Sequence, residues 1–180
     1  MKTRTKALLT VACALLLVVA TVFGTVAYLT AKTDTVKNTF TVGKVNVDLA
    51  ETTGTEYEIV PGVNITKDPK VTVKTGSEDS YVFVKVEKTN WPASGVTYTM
   101  GDDWTALTGV DDVYYHKYTA EATDVSWNVI KNNTITVSKD LTTADCETIA
   151  ANPPALSFTA YAIQAAGIAD AATAWAEVTA

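Results

Sequence analysis

From Asn38 onward, apolar and polar residues alternate in short runs with a period of two, which predicts strands rather than helices. Phe40 and Val42 share one parity, while Val45, Val47 and Leu49 share the other, with the switch at Gly43-Lys44. A shift of one residue turns every later side chain to the opposite face. Glycine at such a switch marks a bulge or bend. A long first strand is therefore expected over Thr39–Ala50, bulged near Gly43.

Glu51–Thr55 reads as a turn, Tyr57–Val60 as a short strand and Pro61-Gly62 as a turn dipeptide. Lys70–Thr75 alternates through Val71 and Val73, and Gly76–Ser80 is a further turn. Tyr81–Lys88 is the densest strand, with Val82, Val84 and Val86 on one face and Tyr81 and Phe83 on the other. Apolar groups on both faces predict a central strand covered on each side. After a loop at Trp91-Pro92, the runs Val96–Met100, Trp104–Leu107 and Val113–Tyr118 predict a meander of short strands. Val125–Ile130 is ambiguous, Asn132-Asn133 is a turn and Thr134–Ser138 is a strand.

Two stretches depart from this period. Lys139–Ala151 reads as a helix, opened by Thr142 with Asp145 three residues later and closed at Asn152-Pro153-Pro154. Cys146, Ile149 and Ala150 form its inner face. Leu156–Ala166 returns to a strand, with Phe158 opposite Tyr161 and Ile163. Asp170–Val178 then predicts a short helix capped by Asp170, with Ala171, Ala174, Trp175 and Val178 on one face. The expected class is mainly β, an antiparallel sandwich with one or two short helices.

The N-terminus follows another rule. Lys2, Arg4 and Lys6 precede an uncharged, mostly apolar run, Ala7–Ala27, with small residues Thr25 and Ala27 just before Tyr28. This is the order of a secretory signal peptide over residues 1–27, cut between Ala27 and Tyr28. The run is also long enough to span a bilayer, so a retained transmembrane anchor is the alternative. Cys13 lies too early in the run to be a lipid-modified residue that ends it. The precursor is expected to be membrane-inserted through residues 7–27, with a polar leader over 28–37 and the sandwich over 38–180. The expected location after export is the cell surface or beyond it.

Charge then narrows the partners. Removing residues 1–27 takes three of the 14 basic residues and none of the 20 acidic ones, leaving a net charge of −9. A domain of that sign argues against nucleic acid or anionic lipid as a ligand. Membrane contact is expected only through the N-terminal segment. The exported part holds one cysteine, Cys146, so its fold must rest on packing rather than on an intrachain disulfide.

Candidate chemistry is sparse. His116 is the one histidine; HExxH and GxSxG are both missing, as is a Gly-rich phosphate loop. A zinc site needs several such ligands, so His116 is read as a half-solvated strand residue. Cys146 has no paired base in view and is read as an inert thiol. Asp102-Asp103 and Asp111-Asp112 flank one predicted hairpin and are candidate Ca²⁺ ligands. Capping turns and keeping edges soluble is the favoured use, because no DxDxDG spacing is present. Trp91, Trp104, Tyr114, Tyr115, Tyr118, Trp127 and Trp175 would suit a carbohydrate groove, although packing is the commoner use of such residues. No catalytic set and no cofactor are expected.

Several short motifs in order carry a likeness. They are Gly24-Thr25-Val26-Ala27-Tyr28-Leu29-Thr30, Asn38-Thr39-Phe40-Thr41-Val42-Gly43-Lys44-Val45, Val60-Pro61-Gly62 and Lys67-Asp68-Pro69. Val71-Thr72-Val73, Tyr81-Val82-Phe83-Val84-Lys85-Val86, Phe158-Thr159-Ala160-Tyr161-Ala162-Ile163-Gln164-Ala165 and Ala174-Trp175-Ala176 follow. In these the chain resembles the TasA/camelysin family of Gram-positive bacteria, exported by a dedicated signal peptidase. The resemblance implies a jelly-roll β-sandwich and a biofilm matrix fibre, in which an N-terminal segment of one subunit adds as a strand to the next. The donor would lie within Tyr28–Val42, with Thr39, Phe40, Val42 and Gly43 as assembly residues. The implied partners are further copies of the chain or a paralogous matrix subunit, and the signal peptidase during export. Camelysin carries a metallopeptidase label, but this sequence lacks the His and Glu arrangement for zinc hydrolysis. The readings set against the fibre subunit are a membrane-tethered binding module and, behind it, that peptidase.

Overall fold

The computed structural model describes residues 44–54, 56–91 and 93–180. Ten strands and two helices are formed there: β1 Val47–Ala50, β2 Ile65–Thr66, β3 Lys70–Val73, β4 Ser80–Thr89 and β5 Val96–Thr97. Then come β6 Thr105–Ala106, β7 Val113–Tyr118, β8 Val125–Asn128, β9 Thr134–Val137, α1 Thr143–Ala151, β10 Ala155–Gln164 and α2 Ala171–Val178. The strands make three antiparallel sheets, ordered β1-β3-β8, β10-β4-β7-β6 and β2-β9-β5. The first and third are joined end to end. Lys67 N donates to Asn133 O (2.9 Å) and Val129 N to Pro69 O (2.8 Å), carrying the pairing across the gap between β2–β9 and β3–β8.

β4 organises the packing. Val82, Val84 and Val86 on one face meet Val71 and Val73 of β3, with Trp104, Tyr118 and Val129 closing the cluster. All five valines are buried, and each contributes roughly 1.5–3 kcal/mol relative to exposure. On the other face Tyr81 and Phe83 pack with Tyr161 and Ile163 of β10 beneath Ala171, Ala174, Trp175 and Val178 of α2. The doubly apolar pattern of β4 thus has two covers, a sheet and a helix. A third cluster, around Val96, Ile130 and Ile135, fills the other end against Ile59, Trp91, Ile149 and Leu156.

The helix starts behave as their residues dictate. Thr142 and Asp145 form a complete capping box on α1, and Asp170 accepts from Thr173 N (2.8 Å) on α2. The α1 face of Cys146 and Ile149 is half-buried only, and Ala150 is exposed.

Two strand expectations need correction, and a third is described only in part. Tyr57–Val60 forms no strand. The Tyr57 hydroxyl is drawn to Glu51 (2.7 Å), and Val63 N bonds to Val60 O (3.0 Å) around the Pro61-Gly62 turn. Val60 and Val63 stay exposed, so alternation there had no sheet behind it. The meander is broken, because Val96 and Thr97 pair with Val137 and Thr136 of β9 and Met100 bridges Ile130. Only Thr105 and Ala106 pair with β7. The long first strand is seen only from Val47, and its proposed bulge at Gly43 lies outside the described residues.

Candidate functional site

Among the described residues β10 is the longest strand at a sheet edge. Its ten residues, ALSFTAYAIQ, contain no charge, no proline and no glycine. β4 pairs with all of it, from Ala155↔Thr89 to Gln164↔Ser80, and is its one sheet neighbour among the described residues. The opposite side of β10 carries a row of main-chain donors and acceptors with no strand on it among those residues. Edge strands are usually blunted by Lys, Pro, bulges or brevity, and β10 has none of these.

β1 runs close to β10, and its Val47 and Leu49 join the same cluster as Phe158, Ala160 and Ala162. The chain just before β1 is pinned to the β3–β4 turn. Glu78 N donates to Lys44 O (3.0 Å), Lys74 N to Asn46 O (3.0 Å), and Asn46 N to Ser77 Oγ (3.0 Å). The predicted assembly residues Thr39, Phe40, Val42 and Gly43, and the cut at Ala27 and Tyr28, lie outside the described residues.

Immediately after β1 sits a polar anchor. Lys67 is 7 % exposed, and its Nζ lies 2.8 and 3.0 Å from the two oxygens of Glu51. The rings of Tyr57 and Phe158 lie 5.0 and 5.8 Å from the same ammonium. A buried lysine is tolerated because its charge is paired and faces aromatic rings. Next to it, Asp68 accepts from the Thr52 hydroxyl, Thr52 N (2.9 Å), Thr53 Oγ1 (2.9 Å) and Thr53 N (3.0 Å). Those donors, the Thr52 hydroxyl foremost, hold the Asp68 carboxyl well below the usual carboxylate range.

The aspartate pairs are drawn to lysines rather than to each other. Asp102 accepts from Lys131 Nζ (2.7 Å) and Asp112 from Lys88 Nζ. Asp112 sits at φ 57°, a turn conformation that Asp tolerates. Among the described residues, no group of three or more His, Cys, Asp or Glu is placed to hold a metal ion. His116 Nδ1 is 2.9 Å from Asp103 O, and its ring lies 4.3 Å from that of Trp127. Cys146 is a free, half-buried thiol near Tyr57, Ile59 and Pro154.

The aromatic set divides by use. Trp104, Tyr118 and Trp127 pack together with edge-to-face geometry, and Trp175 sits 5.2 Å from both Phe83 and Tyr161. Trp91 and Tyr114 line an open groove of about 860 Å³. Two features escaped the sequence reading: Tyr98 in that groove, and the Lys67–Glu51 pair. The second had a signal, because Lys67, Pro69, Val71 and Val73 share one parity and all four are buried.

The chain matches no model of a known protein family, no curated protein and no solved structure.

Proposed function

We propose that this chain is a secreted structural protein of the cell surface or biofilm matrix, a self-assembling fibre subunit of the TasA type on a jelly-roll-like sandwich. The observation that carries the reading is the outer edge of β10, which no strand covers among the described residues. Strand addition requires a straight row of main-chain groups and shallow alternate side-chain positions. Ten residues offer about 33 Å of such an edge. The donor in this reading lies within Tyr28–Val42 of another copy, freed when residues 1–27 are removed.

Other features agree with that use. The alternation of Phe40 and Val42 suits a strand with one apolar face. The leader 28–37 carries Lys32 and Lys37 against Asp34, a sign opposite to that of the acidic domain it would meet. The pinning of Lys44 and Asn46 to the β3–β4 turn sets the point from which the donor departs.

The reading is tested by deleting residues 28–37 from the purified exported chain. Fibre growth followed by electron microscopy should stop, while circular dichroism and the melting temperature stay those of the folded monomer. Fibres that grow unchanged would contradict it.

A further inference from the structure

We propose that the groove lined by Trp91, Tyr98 and Tyr114 is a binding site for a neutral oligosaccharide. The groove lies beside the β5–β6 connection and holds about 860 Å³, within the range of ligand-binding pockets. Its aromatic walls are half-exposed. Trp91 and Tyr98 meet edge to face, with centroids 5.6 Å apart and planes at 61°. The two rings are not stacked face to face, and an unstacked aromatic face is the surface against which the C–H face of a pyranose packs.

The polar groups of the groove fit the rest of a sugar. Lys88 is bonded to Asp112 and stands 5.8 Å over the Tyr98 ring. Asp102 is bonded to Lys131. Each charge is therefore already balanced by a partner. An anionic ligand would face two carboxylates, and a cationic one would have to displace Lys88. Fixed ion pairs instead present donors and acceptors side by side, which suits hydroxyls that both give and accept hydrogen bonds. Thr97, exposed on β5, adds a hydroxyl at the rim. Burial raises the Tyr98 phenol above its ordinary range, so it remains a neutral hydroxyl donor across physiological pH.

The site is compatible with assembly. Tyr114 belongs to β7, which β4 separates from β10, so this wall of the groove stays clear of a strand added to the β10 edge. A fibre would then repeat the site along its length, and many weak contacts would act together on one polysaccharide.

Tryptophan fluorescence of the purified protein, titrated with cellotetraose, chitotetraose, mannotetraose and galactotetraose, tests the proposal. At least one is expected to shift the emission saturably with a Kd of about 1 mM or tighter. Tyr98→Ala should weaken that binding about tenfold or more. Thr97→Arg, at an exposed position that leaves the core untouched, should do the same by blocking the rim. Saturable binding by none of the four, or binding by a folded Thr97→Arg protein equal to that of the unaltered one, would overturn the proposal.

Discussion

Lys67 shows how far a single residue can be read from its neighbours. It shares the parity of Val71 and Val73, so the strand period alone places its side chain inward. What the period does not contain is the partner, because Glu51 is 16 residues away and reaches it only through the turn after β1. Asp68, of opposite parity, takes four hydrogen bonds from Thr52 and Thr53, and these hold its carboxyl below the unfolded value of about 3.9. Asp124, Asp145 and Asp170 are lowered in the same direction, chiefly by Thr75 N–H, the Thr142 hydroxyl and Thr173 N–H respectively. A carboxyl lowered by folding adds stability above its unfolded pKa and loses it as the pH falls towards the folded one. Melting temperature should therefore hold between about pH 5 and 7 and drop below about pH 4. Asp68→Asn should be less stable than the unaltered protein at pH 7, and the gap should close towards about pH 2. A gap that is constant with pH in thermal melts would contradict this account of Asp68.

At the scale of elements, β4, β7, β9 and both helices were legible because each carries its own signal. β4 has apolar residues on two faces, and α1 and α2 have cap residues at the right offset. The failures share one cause: alternation reports a face, and says nothing of which strand lies alongside. Val96–Met100 alternates as well in the layer of β9 as it would beside β6, and its position follows from Gly101. An added Cβ there would meet Asn128 O at 2.4 Å, so only glycine lets this backbone approach β8. Tyr57–Val60 alternates without any sheet to join. The candidate site divides the same way. The lack of charge in β10 is plain in the sequence, but its edge position depends on non-local pairing. Tyr98 gave no signal, because the groove forms only when β5 joins β9. The helix cover on β4 can be tested at this scale. Trp175 of α2 contacts Phe83 and Tyr161 and is partly buried, so Trp175→Ala should cost about 2–4 kcal/mol in urea unfolding. A cost under about 0.5 kcal/mol would mean that α2 does not hold this face of the sheet.

For the whole molecule the proposed function turns on an acidic domain whose β10 edge carries no second strand among the described residues. The full chain carries a net charge of −6, and removal of residues 1–27 would take it to −9. Such repulsion keeps monomers apart in general, while an edge without charge of its own leaves one place where main chains can meet. Ser157 on that edge gives the sharpest handle. It is exposed and lies opposite Glu87 of β4, so Ser157→Lys gains a favourable cross-strand neighbour and should leave the domain folded. The same lysine puts a charge on a ten-residue edge strand that has none. Sedimentation of the exported chain under fibre-forming conditions, compared with Ser157→Lys, is the most direct measurement. Strand addition at β10 predicts pelleted fibres for the unaltered chain and soluble monomers, with an unchanged melting temperature, for Ser157→Lys. Equal amounts of fibre from both proteins would contradict it.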